Sequence, residues 1–172
     1  MYYYLERVDA TSFGVGYTSE DYSFDILSEG KYCNDWNTVP FYLRGGGFAD
    51  YQTNDLDWPL CSAKLKSIID TISSPLDHIQ WLSAKVISLD GVEREYFILH
   101  LPERVDAVDR QKSIRADAFI IRPYFIIRAI GDHQVFSFPG GEFSVIVSEK
   151  VRNAILLNRC VGIDFREIEG IL

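Results

Sequence analysis

Hydrophobic and polar residues alternate in short runs over most of this chain, a pattern that predicts β-strands. Near the N-terminus such runs cover residues 2–8, 22–27 and 39–44, and turn-forming residues separate them. A second group of runs extends from 79 to 147, and a last run covers 161–165. The chain is therefore expected to be rich in strands.

Two features of the second group indicate how its strands are connected. Asp90-Gly91 lies between two apolar runs and is typical of a tight hairpin turn, so the flanking strands are expected to pair antiparallel. Pro123 interrupts the apolar run at 118–130, and a proline cannot donate to a strand ladder. That run is expected to form an edge strand or two shorter strand pieces.

Two other segments show the periodicity of amphipathic helices. The first is expected at about residues 60–72, with Ser62 as its N-cap. The second is expected at about 149–158 and begins after Ser148, which is followed by an acid where the helix dipole favours one. In the first helix one apolar stripe is formed by Leu65, Ile68, Ile69 and Ile72.

These elements predict an α+β fold in a single domain, a mostly antiparallel twisted sheet that carries the two helices. The domain is expected to cover 1–172, with a strand-and-turn part at 1–57 that is aromatic and acidic, and a second part at 58–168. The segments 62–69 and 148–155 also echo each other. Two explanations of the echo stay open, an internal duplication and two independent helices that both have serine caps.

Acidic residues are concentrated in the N-terminal third. Residues 1–57 carry ten acids and three bases, a balance of −7, and the whole chain has a net charge of −8. Fourteen of the 24 aromatic residues lie at or before Trp58. An acidic surface repels phosphates, so neither nucleic acid nor an anionic membrane is expected as a partner. It suits a basic protein partner, and it equally suits a protein that needs the charge only for solubility.

Cysteine usage and hydropathy favour a cytoplasmic protein. Cys33, Cys61 and Cys160 are odd in number and lack CxxC spacing, so reduced thiols are expected rather than a disulfide framework or a zinc site. The sequence contains no run of eighteen apolar residues, so no membrane span is predicted. The N-terminal sequence also lacks the basic start and apolar stretch of a signal peptide.

The segment at 101–117 is the strongest candidate for chemistry, because Asp106, Asp109 and Ser113 follow a hydrophobic run. The two aspartates could hold a hard cation, but a Ca²⁺ loop needs more oxygen ligands and a turn glycine. Four bases in the same segment would neutralise them. Ser113 has no nucleophile-elbow sequence around it. A structural turn with ion pairs is favoured over catalysis or a metal.

The remaining candidates are weaker. His78, His100 and His133 show no metal-ligand spacing, and His100 lies in an apolar run where a hydrogen-bonded, half-buried histidine is usual. The glycine triplet at 45–47 lacks the ending of a phosphate loop and is expected to be a flexible turn. No catalytic residue, metal or cofactor is therefore expected. The alternative is an enzyme or small-molecule-binding protein that uses a pocket near His100 and the Asp106–Ser113 segment.

The order of elements resembles that of immunity protein family eleven of bacterial polymorphic toxin systems. The resemblance covers about two thirds of the chain, and no single piece of it is specific. It rests on four segments in order, "WPLCSAKLKSII" at 58–69, "YFILHLPERVDAVDRQKS" at 96–113, "VFSFPGGEFSVIVSEKVRNAI" at 135–155 and "VGIDFREI" at 161–168.

The resemblance implies a protein without catalysis of its own that neutralises a cognate toxin in interbacterial competition. It fixes neither the toxin nor the surface that meets it. A structural module of a secretion system is a third hypothesis. The acidic, aromatic N-terminal third is expected to contribute to partner binding, through residues near predicted turns: Glu20, Asp21, Tyr22, Asp35, Trp36, Asp50, Tyr51 and Asp55.

Overall fold

A computed structural model describes residues 1–8, 11–116, 119–141 and 143–171. The strands among these residues are β1 (Tyr2–Arg7), β2 (Val15–Tyr17), β3 (Val39–Arg44), β4 (Tyr51–Gln52), β5 (Leu60–Ser62), β6 (Gln80–Ile87), β7 (Glu93–His100), β8 (Ile114–Ala116), β9 (Phe119–Arg122), β10 (Phe125–Ile126), β11 (Val135–Phe136), β12 (Ile146–Ser148), β13 (Ile163–Glu167) and β14 (Gly170–Ile171). The α-helices are α1 (Ala63–Ile72), α2 (Ile127–Ile130) and α3 (Glu149–Leu157). No helix of the described residues is long and apolar enough to cross a membrane.

The larger sheet has six strands in the order β2-β3-β6-β7-β5-β4. All of its pairs are antiparallel except β3 with β6. Alternate residues of its strands point to one side, where they surround Trp58, which is 1% exposed. The buried residues on that side are Leu27, Val39, Phe41, Leu43, Leu60, Leu82, Ala84, Val86, Tyr96 and Ile98.

This sheet closes on itself. Beyond the end of β4, Thr53 accepts a hydrogen bond from the Gly16 backbone N–H of β2 (2.8 Å), and the Gly16 carbonyl accepts one from Asp55 (3.0 Å). A Cβ at position 16 would lie 3.1 Å from the Cβ of Phe41, so glycine lets β2 lie close over the aromatic interior. The result is a small barrel whose two outer strands meet, which removes the exposed edges of an open sheet.

The smaller sheet has four antiparallel strands in the order β11-β12-β1-β13. One face of this sheet packs with α1 and α3 against the outside of the barrel. The core between them contains Tyr3, Leu5, Tyr51, Cys61, Leu65, Ile69, Leu99, Leu101, Val135, Val145, Val147, Val151 and Ile155. Both sheets and both long helices contribute to this one core.

The opposite face of the four-stranded sheet is covered by described residues between Val105 and Ile130. Phe125 is fully buried there and packs edge-on against Phe138, with ring centroids 5.2 Å apart. The same layer includes Tyr4, Ala107, Val108, Ile130, Phe136, Ile146 and Ile168. These residues therefore form a packed layer over this face of the sheet.

The two long helices start in equivalent ways. Ser62 and Ser148 each end a strand and cap the next helix, and their hydroxyls accept from the backbone N–H of Leu65 (3.1 Å) and Val151 (3.3 Å). The Ser62 backbone N–H donates to the Asp50 carbonyl, and the Ser148 backbone N–H donates to the Gln134 carbonyl (both 2.8 Å). Asp50 immediately precedes β4, and Gln134 immediately precedes β11.

The surrounding strands repeat as well. β5 pairs with β7, and β7 also pairs with β6, the strand that follows α1. In the same way, β12 pairs with β1, and β1 also pairs with β13, the strand that follows α3. The echo in sequence thus extends to topology, as an internal duplication would require.

The predicted fold class is confirmed, since the protein is α+β with mostly antiparallel strands. Three local predictions were wrong. The segment at 22–27 contains a 3₁₀ helix, Phe24–Leu27, whose turn places Leu27 against the open end of the barrel. The first helix begins after 60–62, which is a strand, and 127–130 is a single helical turn instead of a strand.

The glycine triplet also differs from its prediction. Gly46 is not in a loose turn, because a Cβ there would collide with the backbone of Phe13 and Gly14. The neighbouring Gly47 makes two backbone hydrogen bonds. Its N–H donates to the Ser12 carbonyl (3.0 Å), and its carbonyl accepts from the Gly14 N–H (2.9 Å). The triplet lets two backbone segments touch.

Candidate interaction surface

Four of the eight predicted contact residues line one groove. Glu20, Tyr22, Asp35 and Trp36 come from two loops that meet at one end of the barrel, and the groove has a volume of about 330 Å³. We call it the Trp36 groove. Its remaining lining residues are Ile26, Lys31, Tyr32, Cys33, Asn37 and Val39.

The groove is built on the aromatic interior of the barrel. The rings of Tyr22 and Trp36 lie 5.4 and 5.8 Å from the ring of buried Trp58, both at steep angles. The Trp36 indole N–H also donates to the Ser83 carbonyl of β6 (2.9 Å). Tyr22 and Trp36 are half-buried, so each is held in place from below while part of it stays accessible.

Acids surround these rings. Glu20, Asp21 and Asp35 are exposed, and the Tyr22 hydroxyl donates to Glu20 Oε2 (2.9 Å). Burial and then this hydrogen bond raise the pKa of Tyr22 to about 12, so the hydroxyl stays protonated at neutral pH. No hydrogen bond or ion pair engages the Asp35 carboxylate within the described part of the chain. The groove therefore combines fixed aromatic rings with available negative charge.

Asp55 also lies on the surface but has a local partner. Both of its carboxylate oxygens accept from the Thr18 backbone N–H, at 3.2 and 3.3 Å. This bond lies beside the closure of the barrel, where the Asp55 N–H itself donates to Gly16. A change at Asp55 would therefore disturb the barrel as well as any contact with a partner.

Asp50 and Tyr51 do not form part of this surface. Tyr51 is 2% exposed and belongs to the core between the two sheets. The Asp50 carboxylate accepts from the Ser62 hydroxyl (2.6 Å) and from the Val161 backbone N–H (2.8 Å). Both residues therefore have structural partners, and neither lines the Trp36 groove.

The segment with Asp106, Asp109 and Ser113 forms a hydrogen-bonded turn. Asp109 Oδ1 accepts from the backbone N–H groups of Gln111 (3.0 Å) and Lys112 (3.2 Å). The Ser113 hydroxyl donates to the Asp109 carbonyl (2.6 Å) and accepts from Tyr124 N–H (2.9 Å). Asp106 is exposed and faces Arg110 at 3.8 Å. The geometry gives Asp109 and Ser113 local partners, and a purely structural role for them stays a prediction.

The alternative site near His100 offers little room. The cavity beside His100 has a volume of about 10 Å³, about the space of one water molecule, and Asp109 and Ser113 do not line it. His100 is 2% exposed, and its Nε2 donates to the Lys31 carbonyl (2.6 Å). Burial lowers the pKa of His100 below its ordinary value. Among the described residues, the space beside His100 is too small for a substrate.

A larger cleft, which the sequence did not suggest, lies between the barrel and the four-stranded sheet. Its volume is about 830 Å³, and it is lined by residues of β1, β9 and the loop before β12. Three arginines line it, each beside a carboxylate, in the pairs Arg7–Asp57, Arg122–Glu169 and Arg166–Glu6. Within each of these pairs the two charges offset each other. Its residues are far apart in sequence, so no local motif could have revealed it.

In the described ranges, no group of three or more histidine, cysteine, aspartate and glutamate side chains is placed to hold a metal ion. The three cysteines are free, with Cys61 buried and the other two partly buried.

Comparison with known proteins adds one finding. The model of the Immunity protein family (Imm11) matches residues 39–170, which is most of the chain. No curated protein matches this chain. The matched region starts after Trp36, so most of the Trp36 groove is contributed by residues that precede it.

Proposed function

Because the chain belongs to the Imm11 family of immunity proteins, we propose that it protects its producer by binding a cognate toxin directly. It would act in the cytoplasm by covering a functional surface of the toxin, without chemistry of its own. The family match carries this proposal. It is supported by the small size of the cavity at His100, the site of the alternative enzymatic function.

We assign the contact to the barrel end that carries the Trp36 groove. Aromatic side chains with fixed rotamers lose little entropy on binding, and surrounding charges guide the encounter. Here the rings are Tyr22 and Trp36, and the charges are Glu20, Asp21 and Asp35. The groove also lies mostly outside the region that matches the family, as a surface specific to one toxin would. The toxin is then expected to be basic where it touches this end of the barrel.

The test has two arms. Co-expression with the product of the adjacent gene in a sensitive bacterium should restore growth, and the two proteins should purify together. With the purified pair, lysine substitutions at Glu20, Asp21 and Asp35 should slow association about tenfold at low salt. Raised salt should slow the wild type and barely affect the triple variant.

Glu167 provides the matched control. It is an exposed acid on β13 of the other sheet, and Glu167→Lys should leave the association rate unchanged. If neither raised salt nor the three charge reversals change the association rate, the barrel end is not part of the interface. A chain that neither protects nor co-purifies would overturn the proposed function.

A further inference from the structure

We propose that the Trp36 groove is a receptor for one cationic side chain of the partner, specifically an arginine. The inference rests on the proposed function, because it names the chemistry that the groove would recognise on the toxin.

The aromatic walls suit a flat cation. Tyr22 and Trp36 line the groove and are braced against Trp58, and Tyr32, which is 46% exposed, lines it as well. An aromatic ring attracts a cation through the negative potential of its face, most strongly for tryptophan. A guanidinium stacks on such rings and loses hydration more easily than an ammonium group, which favours arginine over lysine.

The carboxylates supply the opposite charge. Glu20 receives one hydrogen bond from Tyr22, and a carboxylate can accept several, so it retains capacity for a guanidinium. Asp35 lines the same groove with no partner of its own among the residues that the structure describes. Among the described residues that line the groove, Lys31 is the one base, so the charge of these groups is −1. A single added cation would neutralise it.

The size of the groove fits one side chain. Its volume of about 330 Å³ lies at the lower end of ligand pockets, which measure about 300–1,000 Å³. A folded segment of a partner would not enter it, whereas one extended side chain would. The rest of the interface would then lie on the loops around it.

The experiment uses a small probe, so it does not depend on the toxin. The ¹⁵N-labelled full-length protein is titrated with N-acetyl-L-arginine amide and, in parallel, with the neutral isostere N-acetyl-L-citrulline amide. We expect saturable shifts of backbone amides within 20–39 for the arginine compound only. Asp35→Asn and Glu20→Gln should each weaken this binding roughly two- to fivefold, as expected for one exposed charge pair.

Glu167→Gln is the control, since it removes an exposed acid from β13 and should leave the titration unchanged. Equal responses to both compounds, shifts centred elsewhere, or no saturation would overturn the arginine site. Growth protection is scored separately. A failed titration of a chain that still protects overturns only the site, and a successful titration of a chain that gives no protection upholds the site and overturns the proposed function.

Discussion

Asp106 and Asp109 lie three residues apart but have different surroundings. Asp109 caps a turn through two backbone N–H groups, whereas Asp106 has only an exposed pairing with Arg110. Asp109→Ala is therefore expected to lower the free energy of unfolding by about 1–2 kcal/mol. Asp106→Ala should change it by less than about 0.5 kcal/mol. Urea denaturation of both variants measures this, and equal losses would contradict the assignment.

The burial of His100 leads to a prediction about how folding stability depends on pH. Its pKa is lowered from 6.5 because it is buried, so the unfolded chain binds a proton more readily than the folded one. Stability should fall as the pH drops below 6.5 and level off once His100 is protonated in the fold as well. In His100→Gln, whose amide can still donate to Lys31, that part of the slope should disappear. Thermal unfolding of both proteins between about pH 7 and 5 tests it, and parallel curves would contradict it.

Single residues were predicted with uneven success. Tyr51 lies near a predicted turn and was expected to contact a partner, but it is buried by strands and helices that are distant in sequence. Tyr32 and Cys33 line the Trp36 groove and were not singled out, because the groove forms only when two loops meet. His100 is more deeply buried than the half-buried position that its apolar neighbours predict, since it is only 2% exposed. Local sequence predicts a side chain's surroundings only where local residues provide them.

Elements with strong local signals were predicted well. The stripe and serine cap of α1, the cap of α3 and the Asp90-Gly91 hairpin are all present. The segment at 22–27 was wrongly predicted as a strand, because Ile26 and Leu27 are placed by contact with the barrel interior. The four-residue α2 lacks a side-chain cap and shows too few residues for a helical period. Tertiary packing decides the conformation of such short pieces.

The two serine caps give a paired prediction. Ser62→Ala and Ser148→Ala each remove a hydroxyl that accepts from the first helical turn and donates to a neighbouring side chain, Asp50 or Gln134. Each should lower the free energy of unfolding by about 1–2 kcal/mol. Ser62→Ala should have the larger effect, because its hydroxyl bonds a charged carboxylate. Ser67, exposed in the middle of α1, is the control position, and Ser67→Ala should be close to neutral.

The barrel and the four-stranded sheet share one core, and this predicts how the molecule unfolds. Leu99 of β7 is 1% exposed and lies in that shared core with Leu65 and Val147. Leu99→Ala should cost about 2–5 kcal/mol and destabilise both sheets together. Hydrogen exchange of β6 and β12 amides should accelerate in parallel. Faster exchange in β6 alone would show that the two sheets unfold as separate units.

The assembly of the whole molecule was not predictable from its elements. The closure of the barrel depends on Gly16 meeting Thr53 and Asp55 across more than thirty residues, and no local pattern marks that contact. The position of β1 between β12 and β13 likewise joins strands from opposite ends of the chain. Alternation fixes which face of a strand is buried, but strand order depends on long-range packing.

Neutralisation by direct binding is tested most directly by the stoichiometry of inhibition. A fixed amount of purified toxin is mixed with increasing amounts of this protein, and residual toxin activity is measured after short and long incubation. Binding predicts that activity falls linearly, ends at one fixed molar ratio, and does not depend on time. If one molecule of this protein inactivates many toxin molecules as incubation continues, or if an excess leaves the toxin fully active, neutralisation by direct binding is contradicted.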